Sequence, residues 1–515
     1  MNRNRMLNIC RNAGYTPSAA SWRERDGCTY VMARRQQTPV LLVSGSAPEI
    51  FEGTRVSAGG DSVLACRLNK QNAAALRELF PCTAPASLSG HAASMGFGDR
   101  LGLVTGAHIK ALEGSGAFPV LAQQSKRELS LTGRTWCDML DCVTWQVFEA
   151  GYEGGYAADG DHLKTFEEVR EAIDGGATMI TLDCSEQTNP TAAGLSSAEA
   201  AELCGRRLDT ALTAQWNADY EEKTVSLGGG FGIRLALEIL PSLYLAYSGA
   251  LAFVERIDRE LIRKSGRPVA LEISLDETET ETSPAAHYFV ASALQKRGVT
   301  IESIAPRFCG EFQKGIDYIG DVTRFQAEFA VHAQIARALG YRLSVHSGSD
   351  KFSVFPYVGR LTDFRFHLKT SGTSWVEAVR VIAACNPELF KRMLKFSCEK
   401  FREAKAHYHV SGQAERVPSM DRIAAKDLPG LLDGADARQV IHITYGYLLQ
   451  AVDEQNRPLF RDEIYDTLRR NKAALDAAIT AHSRRHLECL GVLDPPVSGS
   501  NGADAPRLQQ TKKHD

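Results

Sequence analysis

Between about residues 150 and 445, the chain repeats a short apolar strand, a polar turn and an amphipathic helix. Strands that alternate with helices form a parallel sheet covered by those helices. The pattern predicts eight strands, and eight parallel strands close most naturally as a (β/α)8 barrel of the TIM type. The predicted strands are residues 156–158, 178–182, 269–273, 300–305, 342–345, 364–368, 406–410 and 440–443.

The helix after the first predicted strand illustrates the pattern. Thr165 and Glu168 have the spacing of a capping box, which satisfies backbone N–H groups at a helix start. Val169 and Ile173 then lie on one face, and a glycine pair beginning at Gly175 ends the helix. A strand follows directly, as a βαβ unit requires.

The flanking segments suggest additional units. The connection at 185–267 is too long for one crossover helix and contains two helical patterns, so we expect a helical insertion over the barrel mouth. Its glycine run at 228–232 favours a flexible hinge over a phosphate loop, because no strand precedes it and a fingerprint glycine is missing. We expect a smaller N-terminal α/β domain at 1–145, the barrel at 146–494 and a disordered tail at 495–515.

Composition favours a small-molecule partner. The formal charge of −3 provides no bulk attraction to nucleic acid or to an anionic membrane. The twelve cysteines contain no Cys-x-x-Cys pair, and the first ten residues lack the apolar run of a signal peptide, so we expect a cytoplasmic protein with reduced thiols. The apolar segment 235–254 contains Glu238 and Pro241, which favours buried helices over a membrane span. Composition leaves a homo-oligomer open.

The ends of the predicted strands are unusually polar. In a barrel of this kind the catalytic groups follow the C-terminal ends of the strands, where they meet at one mouth. Any one of these residues could simply cap a helix, but so many ionisable groups at one mouth indicate a functional site. They are Asp161, His162, Asp183, Glu272, Arg307, His346, Lys369, His409, His442 and Thr444.

Two of these histidines suggest a metal site. His162 and His346 with one oxygen donor would suit zinc, manganese, cobalt or nickel, with positions left open for a sugar. Glu272, Glu311 and Gln313 are the candidates for the third ligand. The alternative is that both histidines are hydrogen-bonded groups in the upper barrel. The acidic run that begins at Asp276 is typical of a solvated loop, and we assign it no function.

Two loops have the composition of an anion site. The loop 346–351 ends in Lys351, and the loop 369–374 begins with Lys369 and leads into a helix. Backbone N–H groups at a helix start, hydroxyls and a lysine together would bind a carboxylate or phosphate. Helix capping would explain the hydroxyls equally well but does not require the lysines. The residues predicted to bind substrate are Arg307, Lys351, Lys369, Ser371 and Thr373.

Five long segments give the chain a family resemblance. They are SMGFGDRLGL at 94–103, ADGDHLKT at 158–165, PRFCGEFQKGIDY at 306–318, SVHSGSDKF at 344–352 and LKTSGTSW at 368–375. With these segments the sequence resembles the tagaturonate/fructuronate epimerase family over most of its length. The resemblance implies metal-dependent interconversion of D-tagaturonate and D-fructuronate in hexuronate catabolism. It also implies Asp161 as proton acceptor, Glu272 as proton donor, and His162, Gln313 and His346 as metal ligands.

The position of the inverted carbon constrains the chemistry. The two acids differ at a carbinol carbon β to the ketone, whose C–H bond the carbonyl does not acidify. We therefore expect retro-aldol cleavage, in which a base takes the β-hydroxyl proton and the metal stabilises the enediolate. Transient oxidation by nicotinamide is the other route, although no dinucleotide fingerprint is present. Rival hypotheses are a Schiff-base aldolase that uses Lys369 and a non-catalytic sugar-acid sensor.

Overall fold

The protein is described from a computed structural model. The described residues are 3–45, 50–58, 61–221, 223–228, 230–278, 280–420 and 423–493. The tail expected at 495–515 lies outside the described residues.

The N-terminal unit is a six-stranded antiparallel sheet with a helix on each face. Its strand order is β1-β3-β4-β6-β5, and β2 pairs with β3. Because side chains alternate along a strand, Tyr30 and Met32 pack towards α2 while Val31 and Ala33 pack towards α1. The elements are α1 (Arg3–Asn12), β1 (Tyr15–Pro17), β2 (Arg23–Arg25), β3 (Cys28–Arg35), β4 (Thr38–Ser44), β5 (Gly53–Ala58), β6 (Asp61–Cys66) and α2 (Lys70–Leu79).

Eight parallel strands close into the barrel, as predicted. Seven pairings join consecutive barrel strands, and the last strand pairs with the first, with His367 opposite Ser94. The barrel strands are β7 (Ala93–Phe97), β8 (Ala117–Ser125), β9 (Ala157–Leu163), β10 (Met179–Asp183), β13 (Ala270–Ser274), β14 (Ser303–Ala305), β15 (Arg342–Val345) and β16 (Phe366–Thr370). The two remaining strands, β11 (Thr224–Gly228) and β12 (Phe231–Arg234), form a hairpin outside the barrel.

Two predicted strands were wrong. Residues 440–443 lie in helix α15 (Ala435–Ile443), and residues 406–410 form turns and irregular backbone. A short apolar run does not distinguish a strand from one turn of a buried helix, which explains the error. The first two barrel strands are instead β7 and β8. The boundary expected at residue 145 therefore falls inside the barrel, and the separate sheet unit ends before Ala93.

Helices surround the barrel and bury its outer face. The capping box of α6 is confirmed, with Thr165 accepting from the Glu168 N–H and the Glu168 carboxylate reaching back to the cap. Outer helices and strands share one continuous apolar core. These helices are α3 (Thr105–Ala111), α4 (Lys126–Thr132), α5 (Trp136–Ala150), α6 (Phe166–Asp174), α10 (Pro284–Lys296), α11 (Val322–Leu339) and α12 (Phe355–Leu361).

The long insertion lies against the outer wall of the barrel. It contains α7 (Ser197–Arg207), α8 (Thr210–Tyr220), the β11–β12 hairpin and α9 (Leu240–Ile257). Trp216 and Tyr244 pack on Phe289 of α10, each at a ring distance of 5.6 Å. The expected position over the mouth was wrong, since these contacts direct the insertion towards α10 and α11. Within the glycine run, Gly228 ends β11 and Gly230 directly precedes β12. Among the described residues, no helix has the length and apolarity needed to cross a bilayer.

The C-terminal helices build a second core beside the barrel mouth. Val440, Ile441 and Trp375 belong to this core. The last helix, α18 (Lys472–Leu490), packs against α3 and α12. It therefore closes the helical ring between β16 and β7. The helices are α13 (Thr373–Cys385), α14 (Pro387–Lys405), α15, α16 (Tyr445–Gln450), α17 (Arg461–Arg470) and α18 (Lys472–Leu490).

Candidate active site

A cavity with two adjoining lobes opens at the C-terminal ends of the barrel strands. The lobes have volumes of about 310 and 400 Å³, which suit a small sugar rather than a polymer. Asp161, His162 and Lys369 line the inner lobe, and Arg307 lines the outer lobe. The residues that line both lobes are Arg127, Glu277, Lys314, His346, Ser347 and Tyr408.

His162 and His346 meet at the floor of this cavity, as predicted. His162 is near the end of β9 with a left-handed φ of 54°, and His346 follows β15 directly. Their ring centroids are 4.8 Å apart. Asp276 Oδ1 lies 3.9 Å from His162 Nε2 and 2.8 Å from His346 Nδ1. Two imidazoles and a carboxylate thus face one point, which is a common ligand set for a divalent transition metal.

The hydrogen bonding of the two rings fits a metal at this point. Across the described residues, His162 Nε2 is buried without a hydrogen-bond partner, and the buried His346 Nδ1 has the Asp276 carboxylate at 2.8 Å. Their other nitrogens contact carboxylates, His162 Nδ1 at 2.8 Å from Asp161 and His346 Nε2 at 2.7 Å from Glu272. Metal-binding histidines characteristically hold an outer carboxylate in this way while the free nitrogen faces the ion. The residues present therefore fit a divalent cation such as zinc, manganese, cobalt or nickel.

The oxygen donor beside the rings is Asp276, a residue to which the sequence interpretation gave no function. Gln313 is buried, but its Oε1 accepts hydrogen bonds from the Ser411 N–H at 2.7 Å and from Gln439 Nε2 at 3.1 Å. Its Nε2 donates to Glu311. Glu272 contacts His346 Nε2, which is not the ring nitrogen that faces Asp276. The sequence signal for Asp276 was weak, because alternation places residues 272 and 274 on one face but β13 ends at Ser274, two residues before Asp276.

Lys369 lies among three carboxylates below the histidines. Its Nζ is 2.6 Å from Asp159 Oδ2, 2.7 Å from Asp161 Oδ1 and 3.1 Å from Glu272 Oε1. It also donates to the Thr181 hydroxyl. Lys369 and Glu272 are almost fully buried, so these charges interact with little screening by water. Asp159 was missed by the sequence analysis, although it precedes Asp161 by two residues and so lies on the same strand face.

The electrostatics of this cluster define its protonation. Burial alone would lower the pKa of Lys369, but the three carboxylates raise that pKa, so its ammonium stays charged. Burial by itself would raise the pKa of Asp161 and of Glu272, yet the neighbouring cationic groups, Lys369 foremost, hold both well below their usual range. Burial raises the pKa of Asp159 to about 6.

The floor carries more negative than positive charge. Three carboxylates, those of Asp159, Asp161 and Glu272, surround the Lys369 ammonium, and a fourth, that of Asp276, lies beside His346. Burial opposes protonation of His346, but Asp276 and Glu272 raise its pKa to about 10. The same excess of negative charge that holds a proton there would attract a metal cation in its place.

Lys351 does not face the cavity, so its predicted contact with substrate was wrong in this geometry. The side chain is fully buried, and Nζ donates to the carbonyls of Gln313 at 2.8 Å, Ile316 at 2.6 Å and Ser349 at 2.8 Å. All three donors of an ammonium are then used. Lys351 therefore fixes the loop after β14 against the loop after β15.

The other predicted substrate contacts have mixed positions. Ser371 lines the inner lobe, whereas Thr373 is buried in the first turn of α13. Arg307 lines the outer lobe and donates to the Thr278 carbonyl. Lys369 lines the inner lobe, but its charge is matched by carboxylates.

Three residues from the strand-end inventory lie apart from this floor. His409 is exposed at the rim of the outer lobe, 3.1 Å from Glu311. His442 is buried within α15 and Thr444 is buried at its C-terminal end, because the strand predicted there is a helix. The described part of the chain also places four cations along the cavity that the predicted set omitted, namely Lys126, Arg127, Lys164 and Lys314.

Comparison with known proteins identifies the family of this chain. The family described as tagaturonate epimerase matches residues 18–490 of the chain. The tagaturonate/fructuronate epimerase of Thermotoga maritima is 38% identical over 482 residues, which cover 93% of this chain and 97% of that protein.

Solved structures show the same similarity. A one-glycerol complex of fructuronate-tagaturonate epimerase UxaE from Cohnella laeviribosi is 41% identical with a TM-score of 0.90, covering 95% of this chain and 99% of that chain. The native crystal structure of the same protein gives the same values. The match extends over the sheet unit, the barrel and the C-terminal helices alike. The chain therefore belongs to the tagaturonate epimerase family and is an epimerase of the isomerase class.

Proposed function

We propose that the protein interconverts D-tagaturonate and D-fructuronate by breaking and remaking a carbon–carbon bond, with a divalent cation held by His162, His346 and Asp276. The supporting observation is the pair of buried imidazole nitrogens, His162 Nε2 and His346 Nδ1, that converge on the Asp276 carboxylate. These atoms lie beside Asp161 and Glu272. The resemblance implies Asp161 as the proton acceptor and Glu272 as the proton donor.

The substrate assignment rests on the family and on the cavity. The relatives with the same fold over nearly the whole chain are named as epimerases of fructuronate and tagaturonate. These two acids differ only at the carbinol carbon β to the ketone. Since that C–H bond is not acidic, a base acts more readily on the hydroxyl attached to the same carbon.

Asp161 is proposed as the base. It is ionised because Lys369 and His162 hold its pKa low, and it lines the inner lobe where a hydroxyl can approach. When Asp161 removes the β-hydroxyl proton, the bond between the α and β carbons breaks, and its electron pair moves towards the ketone. The aldehyde fragment turns, the α carbon attacks its opposite face, and a proton returns to the new alkoxide.

Glu272 would exchange protons through Lys369. The Lys369 ammonium contacts both Asp161 and Glu272, so it connects the base for one epimer with the acid for the other. Glu272 also accepts from the Ser303 hydroxyl at 2.6 Å. Because its pKa lies well below the usual range, Glu272 is deprotonated at rest and would donate only a proton received during the reaction.

A bound divalent cation would supply Lewis-acid polarisation of the ketone oxygen, which lowers the barrier to carbon–carbon cleavage. The protein residues provide the rest of the environment. Asp161 and Glu272 orient the two imidazoles through their outer nitrogens, and the barrel wall excludes water from the floor.

The Schiff-base alternative has weaker support. A lysine nucleophile requires a neutral amine, usually obtained by lowering its pKa. The carboxylates around Lys369 have the opposite effect and raise its pKa. Borohydride added with substrate should therefore not trap a covalent adduct on Lys369, whereas a trapped adduct seen by mass spectrometry would favour the aldolase.

Isotopic labelling tests the carbon–carbon route. In D2O, the epimers should interconvert without uptake of deuterium at the inverted carbon, as followed by NMR. A substrate deuterated at that carbon should show no primary isotope effect, because the C–H bond is never broken. A large primary effect would instead support transient oxidation, and solvent deuterium at that carbon would support direct deprotonation.

A chelation experiment tests the cation. Treatment with EDTA should abolish interconversion, and Zn²⁺, Mn²⁺, Co²⁺ or Ni²⁺ should restore it in separate samples. The melting temperature should rise with the restoring ion, since a ligand that binds only the folded state stabilises it. Full turnover by protein shown to be metal-free by elemental analysis would refute this part of the proposal.

A further inference from the structure

The charge distribution of the cavity separates its floor from its rim. At the floor, three carboxylates surround the Lys369 ammonium and a fourth lies beside His346, so a negatively charged ligand group would be repelled there even beside a divalent cation. The walls carry four cationic side chains, of which Lys126 is paired with Glu168 and Lys164 with Asp183 and Glu186, while Arg127 and Lys314 have no ion pair among the described residues. An acidic substrate group should therefore point away from the floor and towards the rim.

Lys314 is the rim cation best placed to receive such a group. It lines both lobes, and its Nζ donates to the Ser347 hydroxyl at 3.0 Å. Ser347 is the residue next to His346, so the ammonium is held close to the proposed metal site. Over the described ranges, Lys314 has no carboxylate within ion-pair distance. Its charge is thus available, unlike that of Lys369.

The backbone that carries Lys314 is rigidly supported. Lys351 binds the carbonyls of residues 313 and 316 on either side of it. The Gln313 amide is tied to Ser411 and Gln439, and Gln439 Nε2 also donates to the Lys314 carbonyl at 3.2 Å. A preorganised cation loses less entropy on binding an anion, which favours a binding function over a merely solvated side chain.

Arg127 provides a second cation on the same wall. Its guanidinium lies 4.7 Å from the ring centre of Tyr408, and Nη1 donates to the His407 carbonyl at 3.0 Å. These contacts fix the plane of the guanidinium and leave its other N–H donors without a partner in the part of the chain that the structure describes. Arg127 also lines both lobes of the cavity.

We infer that Lys314, assisted by Arg127, binds the carboxylate of the uronate and so determines selectivity for acidic over neutral ketoses. This inference rests on the proposed function. Lys314 and Arg127 thus take the place of Lys351 and Lys369 as the predicted carboxylate-binding residues. Lys351 is buried away from the cavity, and the charge of Lys369 is neutralised by carboxylates at the floor.

The decisive experiment compares Lys314→Met with a matched lysine variant. Lys126 lines the same cavity but is already paired with Glu168 at 2.9 Å, so Lys126→Met serves as the control. Each protein is assayed with D-tagaturonate and with D-tagatose, in which a hydroxymethyl group replaces the carboxylate. If the neutral ketose is not turned over, it is measured as a competitive inhibitor.

Lys314→Met should lower kcat/KM for tagaturonate by about 10- to 100-fold, as expected for loss of a hydrogen bond to a charged group. Most of the effect should appear in KM, and Lys314→Arg should recover most of the loss. The value for tagatose should change less than about threefold by the same reasoning, since no charged contact is lost. Lys126→Met should resemble the wild type with both sugars.

An unchanged preference for the acid in Lys314→Met, or an equal loss with both sugars, would overturn the inference. Thermal melting checks that the variant is folded, and the double variant with Arg127→Met should lose further selectivity. If the wild type epimerises neither sugar, the proposed function fails. The anchor is then tested separately by calorimetric binding of tagaturonate, which Lys314→Met must still weaken.

Discussion

At the scale of single residues, the site depends on alternation along barrel strands. Asp159 and Asp161 share one face of β9. Glu272 lies in β13, and Asp276 lies two residues beyond its end, where it accepts from the Ser274 hydroxyl. Each pair places one carboxylate deep in the barrel and one nearer the mouth. Lys369 connects both strands at the deep level, and the histidines lie above it. The proton-transfer layer and the proposed metal layer thus have different depths.

Asp276→Asn tests the assignment of the oxygen ligand. We expect metal content to fall and kcat/KM to drop by at least about 100-fold, because a neutral amide oxygen binds a divalent cation more weakly than a carboxylate. Elemental analysis and NMR turnover measure the two effects. Glu281→Gln, at an exposed position in the same loop that lines neither lobe, should retain both. Normal metal content in Asp276→Asn, combined with loss of metal in Gln313→Met, would favour Gln313 instead.

Lys369→Met should damage both folding and turnover. Removing the ammonium leaves several buried carboxylates without their cation, which costs about 3–5 kcal/mol for a buried ion pair. Urea unfolding would measure the loss of stability. Asp159→Asn in the same chain should recover part of it by removing one of the uncompensated charges. No change in unfolding free energy for Lys369→Met would contradict the charge arrangement described for the floor.

At the scale of elements, the C-terminal helix supports the loop that follows β15. His486 of α18 accepts a hydrogen bond from the Asp350 N–H at 3.0 Å and donates to the His482 carbonyl at 2.9 Å. The Asp350 carboxylate is 2.9 Å from Arg438 of α15. Asp350 has a left-handed φ of 62°, a conformation that needs such external support. Two helices outside the barrel therefore hold the loop between His346 and Lys351.

His486→Ala should destabilise this loop. The variant leaves the buried Asp350 N–H without its acceptor, at a cost of about 1–3 kcal/mol. Hydrogen exchange should increase at residues 347–351, and kcat should fall as His346 loses its fixed position. Glu488→Ala, at an exposed position on the same helix, is the control and should change neither quantity. Unaltered exchange at these residues in His486→Ala would show that α18 does not support the loop.

At the scale of the whole molecule, the sheet unit and the barrel are successive in sequence but joined by a shared core. Trp145 and Phe148 of the barrel helix α5 pack into the apolar core of the N-terminal sheet. Strands β7 and β8 complete the barrel from the part of the chain that the sequence analysis assigned to the separate domain. The barrel thus requires residues on both sides of position 145.

Deletion variants test this domain boundary. A chain beginning at residue 146 lacks β7 and β8, and we expect it to aggregate because the open barrel exposes two unpaired strand edges. A chain beginning at residue 80 keeps all eight strands and should stay folded by circular dichroism, with stability reduced by about 1.5–3 kcal/mol for each large apolar side chain newly exposed. Cooperative unfolding of the shorter chain would refute the boundary drawn from the structure.

The sequence predicted the barrel class, six of its eight strands and the meeting of His162 with His346. These features depend on local patterns, because strand and helix periodicity and the strand-end rule are readable along the chain. β7 was missed because its residues 93–97, which include Gly96 and Ser94, lack the apolar run of a typical strand. Residues 440–443 were predicted as a strand because they have such a run, but they lie within a helix.

Only the tertiary structure decided which charges are free. Lys351, Lys369 and Lys314 look equivalent in sequence, as loop lysines near the barrel mouth. The fold buries Lys351 against carbonyls, surrounds Lys369 with carboxylates and leaves Lys314 unpaired among the described residues. Likewise, Asp276 became a ligand candidate only when two strands brought both imidazoles to it. Electrostatic roles depend on distances between residues far apart in the chain, and those distances are set by packing of the whole barrel.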